Sequence, residues 1–146
     1  MVVVSKLNSL LENTYKLTYL NYGGSSASPH FKSIRVNAYS TFCSMRYHRN
    51  QIFILFTDLI QVYADNSSMT LLKELTIASG NTESPSMSLQ SDMLVYCITA
   101  FCRILNLTDD YSLIQQIELE KLVTDVAISI PFLLIVHETS FIQYDI

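Results

Sequence analysis

An all-β fold of short antiparallel strands in repeated sheets is predicted by three observations. Nine Tyr and seven Phe, beside many Val, Ile and Thr, suit pleated, half-buried surfaces. Apolar runs of strand length recur along the chain, and with only three Gly and three Pro available the breaks between them fall to Asn, Asp, Ser and Thr. The order of residues 51–77, QIFILFTDLIQVYADNSSMTLLKELTI, with three apolar runs and two polar turns, returns over 92–119, and 131–146 begins it again. A chain of 146 residues, 49% apolar and 15% charged, fits one domain with a substantial core and excludes global disorder.

In chain order, MVVVS forms a brief strand. LNSLLENTYKL is either a helical turn or a loop leading into a strand at 15–20, because local periodicity does not separate the two. NYGGSSASPH, 21–30, is the clearest loop, so residues 1–30 form an irregular N-terminal segment and 31–146 the regular repeats. FKSIRV is extended and turns at Asn37-Ala38. In TFCSMRYH, alternation sets Cys43, Met45 and Tyr47 on the core side, with Phe42, Ser44, Arg46 and His48 opposite. Arg49-Asn50 turns into IFILF, an unbroken apolar run of the kind that is covered on both faces. Asp58 reverses the chain into LIQVYA, Asp65–Ser68 ends that strand, and LLKELTI is an outer strand whose Lys73 and Glu74 discourage edge pairing. After a loop at 78–85, MSLQ, MLVYCI, FCRILNL and SLIQQIEL repeat the cycle, with its turn at Thr108-Asp109-Asp110. LVTDVAI, FLLIV and FIQYD open a further one.

Aligned on the large residue of the third strand, the copies are anchored at Tyr63, Leu105 and Tyr144, with a weaker copy at Leu20. These separations, of about 40 residues, match the period of a four-stranded propeller blade. At Ile60-Gln61-Val62-Tyr63-Ala64 and Phe141-Ile142-Gln143-Tyr144-Asp145 the chain resembles the WD40-repeat family, whose third strand ends in a pattern such as Ile-x-Val-Trp-Asp. It departs from that family in lacking Trp, in lacking the Gly-His before the first strand, and in its degenerate copy Cys102-Arg103-Ile104-Leu105-Asn106. The resemblance implies antiparallel four-stranded blades of a partial β-propeller, about two full blades plus two partial ones. Closed propellers have four to eight blades. The chain is therefore expected to be a fragment of a longer propeller, a half-propeller completed by another chain, or a small open stack.

Charge is divided unevenly. Residues 1–50 hold six basic side chains against Glu12, a net of +5, and 51–146 hold three basic and twelve acidic ones, a net of −9. Lys32, Arg35, Arg46, His48 and Arg49 lie on two successive segments; if those pair, they form a basic patch suited to phosphate or an acidic peptide. Three cysteines imply no disulfide framework. Cys97 and Cys102 flank a hairpin turn where a bridge is sterically conceivable, but free buried thiols are the expectation. Met1–Val4 is too short for a signal sequence and no apolar run is long enough to span a bilayer, so a cytoplasmic or nuclear location is expected. The glycosylation-type triplets at Asn66 and Asn106 are then chance matches at strand ends.

No catalytic constellation emerges. His30, His48 and His137 share no metal-type spacing and are read as turn or surface residues. Asp109-Asp110 is read as a turn former, and Gly23-Gly24 lacks the context of a phosphate loop. No metal and no cofactor is expected. The resemblance implies a noncatalytic scaffold or adaptor that binds protein partners, one of which completes the propeller. The second reading is a polyanion-binding module for RNA or phosphoinositide, with nucleic acid or anionic lipid as its partner.

Overall fold

The computed structural model describes residues 2–7, 13–19, 30–36, 40–66, 68–77 and 84–146. The Gly23-Gly24 loop, most of 78–85, and Leu20 lie outside them. The described residues form fourteen strands and no helix. The first sheet holds β1 (Val2–Leu7), β2 (Asn13–Tyr19) and β3 (His30–Val36), and the second β4 (Phe42–His48), β5 (Gln51–Phe56), β6 (Leu59–Ala64) and β7 (Leu71–Thr76). The third holds β8 (Ser86–Gln90), β9 (Met93–Cys97), β10 (Phe101–Asn106) and β11 (Ser112–Glu118), and the fourth β12 (Asp125–Ser129), β13 (Phe132–Val136) and β14 (Phe141–Asp145). All pairings are antiparallel between neighbours in sequence. Two four-stranded blades stand between two three-stranded ones, as the repeat implies.

Turn chemistry without glycine shapes the hairpins. Arg49 and Asn50 have φ of 48° and 59°, the double left-handed geometry that matches strand twist in a two-residue hairpin. The Asn66 side-chain carbonyl accepts from the backbone N–H of Ser68 (3.1 Å) and of Met69 (3.0 Å), and that of Asn106 accepts from Thr108 (3.0 Å). These side chains mimic a backbone turn, the role expected at a strand end.

Each sheet packs face to face on the next, and strand alternation divides the buried apolar residues among the interfaces. In β5, Ile52, Ile54 and Phe56 meet Tyr15, Leu17, Ile34 and Val36 of the first sheet. Phe53 and Leu55, from the other face of β5, meet Met87, Leu94 and Tyr96 of the third. Val95, Cys97, Cys102 and Ile104 then meet Val126, Ile128, Leu133 and Ile135 of the fourth. Covering β5 on both faces explains why its sequence does not alternate with polar residues.

Two expectations are corrected by this packing. A β-bulge between Phe42 and Ser44 puts an extra residue into β4, so Phe42 and Met45 join the cluster against the first sheet while Cys43 faces the third. Tyr47 keeps the face of Met45, opposite Ile52, but near the strand end it is 44% exposed, with its hydroxyl 3.2 Å from the Asp65 carboxylate, to which it donates. Cys97 and Cys102 are opposite one another across the β9–β10 hairpin, with Cα atoms 4.1 Å apart, and form a disulfide rather than two free thiols. The remaining cysteine, Cys43, is free, and burial, with the Asp58 carboxylate adding to it against an opposing hydrogen bond from Ser84, raises its pKa to about 11.

Candidate interaction site on the fourth sheet

The register of the fourth sheet aligns it with its predecessors. Leu134 faces Gln143 and Val136 faces Phe141, as Phe53 faces Val62 and Leu55 faces Ile60 in the second sheet, and as Val95 faces Ile104 and Cys97 faces Cys102 in the third. In the second and third sheets those positions are buried beneath the following sheet. In the fourth sheet no described element covers them. Phe141 is 68% exposed and Phe132, on the same face, 43%. An apolar surface built to be covered is thus presented outward.

The outer edge of this sheet is open as well. β6 and β10 pair on both sides, with β7 and β11 as outer strands, whereas among the described strands β14 pairs with β13 alone. Beside β14 runs an open cleft of about 240 Å³ between Ile142 and Tyr144 on one side and Glu118–Lys121 on the other, with His137 at its wall. His137 is 6% exposed, which corrects its reading as a turn or surface residue. Its Nδ1 lies 2.8 Å from the Leu122 carbonyl and must donate to it, so in the neutral ring Nε2 is an acceptor. That buried nitrogen has no hydrogen-bond partner among the described residues.

The opposite end of the stack has a different character. With Tyr15, Leu17, Ile34 and Val36 turned to the second sheet, the residues with described side chains on the far face of the first sheet are Ser5, Lys16, Thr18, Ser33 and Arg35.

The two segments that carry the five basic-patch residues do not pair with each other. β3 pairs with β2 and β4 with β5, so the two segments carrying them lie in different sheets, contrary to the pairing the patch requires. Lys32 points between the first two sheets, donating to the Met69 carbonyl at 2.7 Å with its ammonium 5.2 Å from the centre of the Tyr63 ring. Tyr63 is itself 2% exposed and donates to Gln61 (2.8 Å); burial and the nearby Glu74 charge raise its pKa. His48 Nε2 donates to the Ser91 carbonyl at 2.6 Å, and Arg49 forms an ion pair with Asp92, both joining the second sheet to the third. Arg35, on the far face of the first sheet, and Arg46, on β4, are exposed. His30 begins β3. Asp110 accepts from Lys73 (2.7 Å) and Asp109 from Ser112 (2.8 Å), which makes the acidic pair a turn and a link between sheets. No cluster of three or more potential metal ligands exists among the described residues. No helix among them is long and apolar enough to cross a membrane.

No protein-family model matches the chain, and no curated protein does. Solved structures do. The WD40 domain of Neurospora crassa Pan2 is similar with a TM-score of 0.59 at 9% identity, covering 97% of this chain and 48% of that one. The β-propeller domain of Myceliophteria thermophila Cps50 (Swd1) gives 0.52 at 13% identity, covering 72% of this chain and 38% of that one. The computationally designed Ika4 protein gives 0.65 at 8% identity, covering 99% of this chain and 91% of that one. Identities this low speak to the fold alone, which is propeller-like. The chain spans less than half the length of the two natural domains.

Proposed function

We propose that the chain is a noncatalytic protein-interaction module, a scaffold or adaptor of the WD40 kind, whose partner covers the outward face of the fourth sheet. The observation that carries this reading is the repetition of Phe53/Leu55/Ile60 and Val95/Cys97/Cys102 as Leu134/Val136/Phe141. The first two sets are buried, and in the third Phe141 is 68% exposed. Residues of core type at core register, left outside, fit burial by another protein. The WD40 domains among the structural neighbours support an interaction role in general. The polyanion reading finds no comparable feature, since Lys32, His48 and Arg49 are engaged within the stack.

Photo-crosslinking tests the proposal. A benzophenone amino acid placed at Phe141 is expected to capture a discrete protein in cells that express the chain, and one placed at Ser33 on the far face of the first sheet is not. Equal labelling from both positions, or adducts to nucleic acid or lipid from Phe141, would count against it.

A further inference from the structure

The outer strands of the first three sheets share a five-residue pattern in identical register. Lys32-Ser33-Ile34-Arg35-Val36 ends β3, Lys73-Glu74-Leu75-Thr76-Ile77 ends and follows β7, and Gln115-Gln116-Ile117-Glu118-Leu119 ends and follows β11. The first position lies opposite Leu17, Val62 and Ile104, and the third opposite Tyr15, Ile60 and Cys102. After the strand, the N–H of Ile77 donates to the Asp58 carbonyl (2.8 Å) and that of Leu119 to the Ala100 carbonyl (2.9 Å), each carbonyl two residues before the one facing the third position. A long polar residue, then two aliphatic residues at alternate positions, is what the outer edge of a blade in this stack accepts.

β14 presents the same edge, and no described strand pairs with it. By the register above, Gln143 occupies the position of Val62 and Ile104, Phe141 that of Ile60 and Cys102, and Thr139 that of Asp58 and Ala100. The adjoining cleft lies on the other face of β14, walled by Ile142 and Tyr144, and would receive the intervening side chains of an added strand; His137 Nε2 is buried there and has no hydrogen-bond partner among the described residues. The charge around it is one-sided, since residues 118–145 carry Glu118, Glu120, Asp125, Glu138 and Asp145 against Lys121 alone. From these observations we infer that β14 takes up an extended, basic segment of a partner protein as an added outer strand. Its core would be Lys/Arg-x-Ile/Leu-x-Val/Ile/Leu, run antiparallel, with the first aliphatic residue opposite Phe141. Main-chain bonds to the β14 edge hold the segment, and the alternate side chains choose it.

This inference rests on the interaction role proposed above, and its test separates the two. Three fluorescein-labelled peptides copied from the chain's own outer strands, HFKSIRV, LLKELTI and SLIQQIEL, carry progressively less positive charge. Anisotropy titrations should rank them in that order, with binding weakened by salt. An Ile34→Asp version of HFKSIRV, and the Phe141→Asp protein, should each lose at least about tenfold in affinity. Circular dichroism should show that protein variant folded, because Phe141 is mostly solvent-exposed. Hydrogen exchange should show the bound peptide protecting β14 and leaving β1 unchanged. The inference is overturned by absence of saturable binding, by equal binding of the Ile34→Asp peptide, or by protection at β1. It is also overturned by sedimentation of the unliganded chain as a dimer with β14 already protected, which would make a second copy the occupant. If the peptides fail while Phe141 still crosslinks to a protein, strand addition falls and the interaction face stands.

Discussion

At the scale of single residues, the polar groups inside this stack are tied to the sheet next door. Lys32 holds the Met69 carbonyl and lies near the Tyr63 ring, so Lys32→Met should lower stability by about 1–2 kcal/mol through loss of one charged hydrogen bond and a cation–π contact. Urea unfolding measures this, and an unchanged midpoint would mean the lysine is solvated. The titration of buried acids gives a second expectation. Cys43 is raised from 9.0 to about 11, and Tyr63 and Tyr111 are also raised, all three chiefly by burial. Each group's folded-state pKa exceeds its unfolded value, so its stabilisation is complete below pH 9 and is lost as pH climbs through the folded pKa. Melting temperature should therefore hold steady from pH 7 to pH 9 and fall above it. A flat profile to pH 11 would contradict the burial of these groups. The lysine's destination was not legible in the sequence. Its strand pattern says that a side chain points to one face, but which neighbour lies across that face is a property of sheet stacking.

At the scale of elements, strand placement was largely legible, because period-two alternation and Asn/Asp/Ser/Thr turns mark the ends of β4 to β14 without help from tertiary context. β5 is an instructive case: its unbroken QIFILF predicted cover on both faces, and its residues divide between two interfaces. The faces of β4 were not legible, since one extra residue at a bulge reverses the alternation and leaves no compositional mark. Nor was the Cys97–Cys102 bridge, which depends on the two residues being direct partners across the hairpin. The open face was half legible: alignment on Tyr144 assigns Phe141 to a core position, but only the stack shows that no described element covers it. A pair of substitutions checks this distinction. Phe53→Ala, in a fully buried interface, should cost about 3–5 kcal/mol, whereas Phe141→Ser should change the stability of the isolated chain by no more than about 0.5 kcal/mol. Comparable losses at both positions would show that the fourth sheet is covered after all.

At the scale of the molecule, the two terminal sheets turn different described side chains outward. The stack starts with a face of Ser5, Lys16, Thr18, Ser33 and Arg35 and finishes with one of Phe132, Leu134, Val136 and Phe141. Burial of successive sheets explains the interior, and the last sheet's open face and open edge explain where a partner would add to it. Residue-resolved hydrogen exchange of the isolated chain tests this arrangement most directly, by comparing β14 with β6 and β10, which occupy the same place in their own sheets. The outward-pointing amides of β14 should exchange far faster than any in β6 or β10, with its inward ones protected by β13. Uniform protection of β14, equal to that of β10, would contradict an open fourth sheet and with it the proposed site.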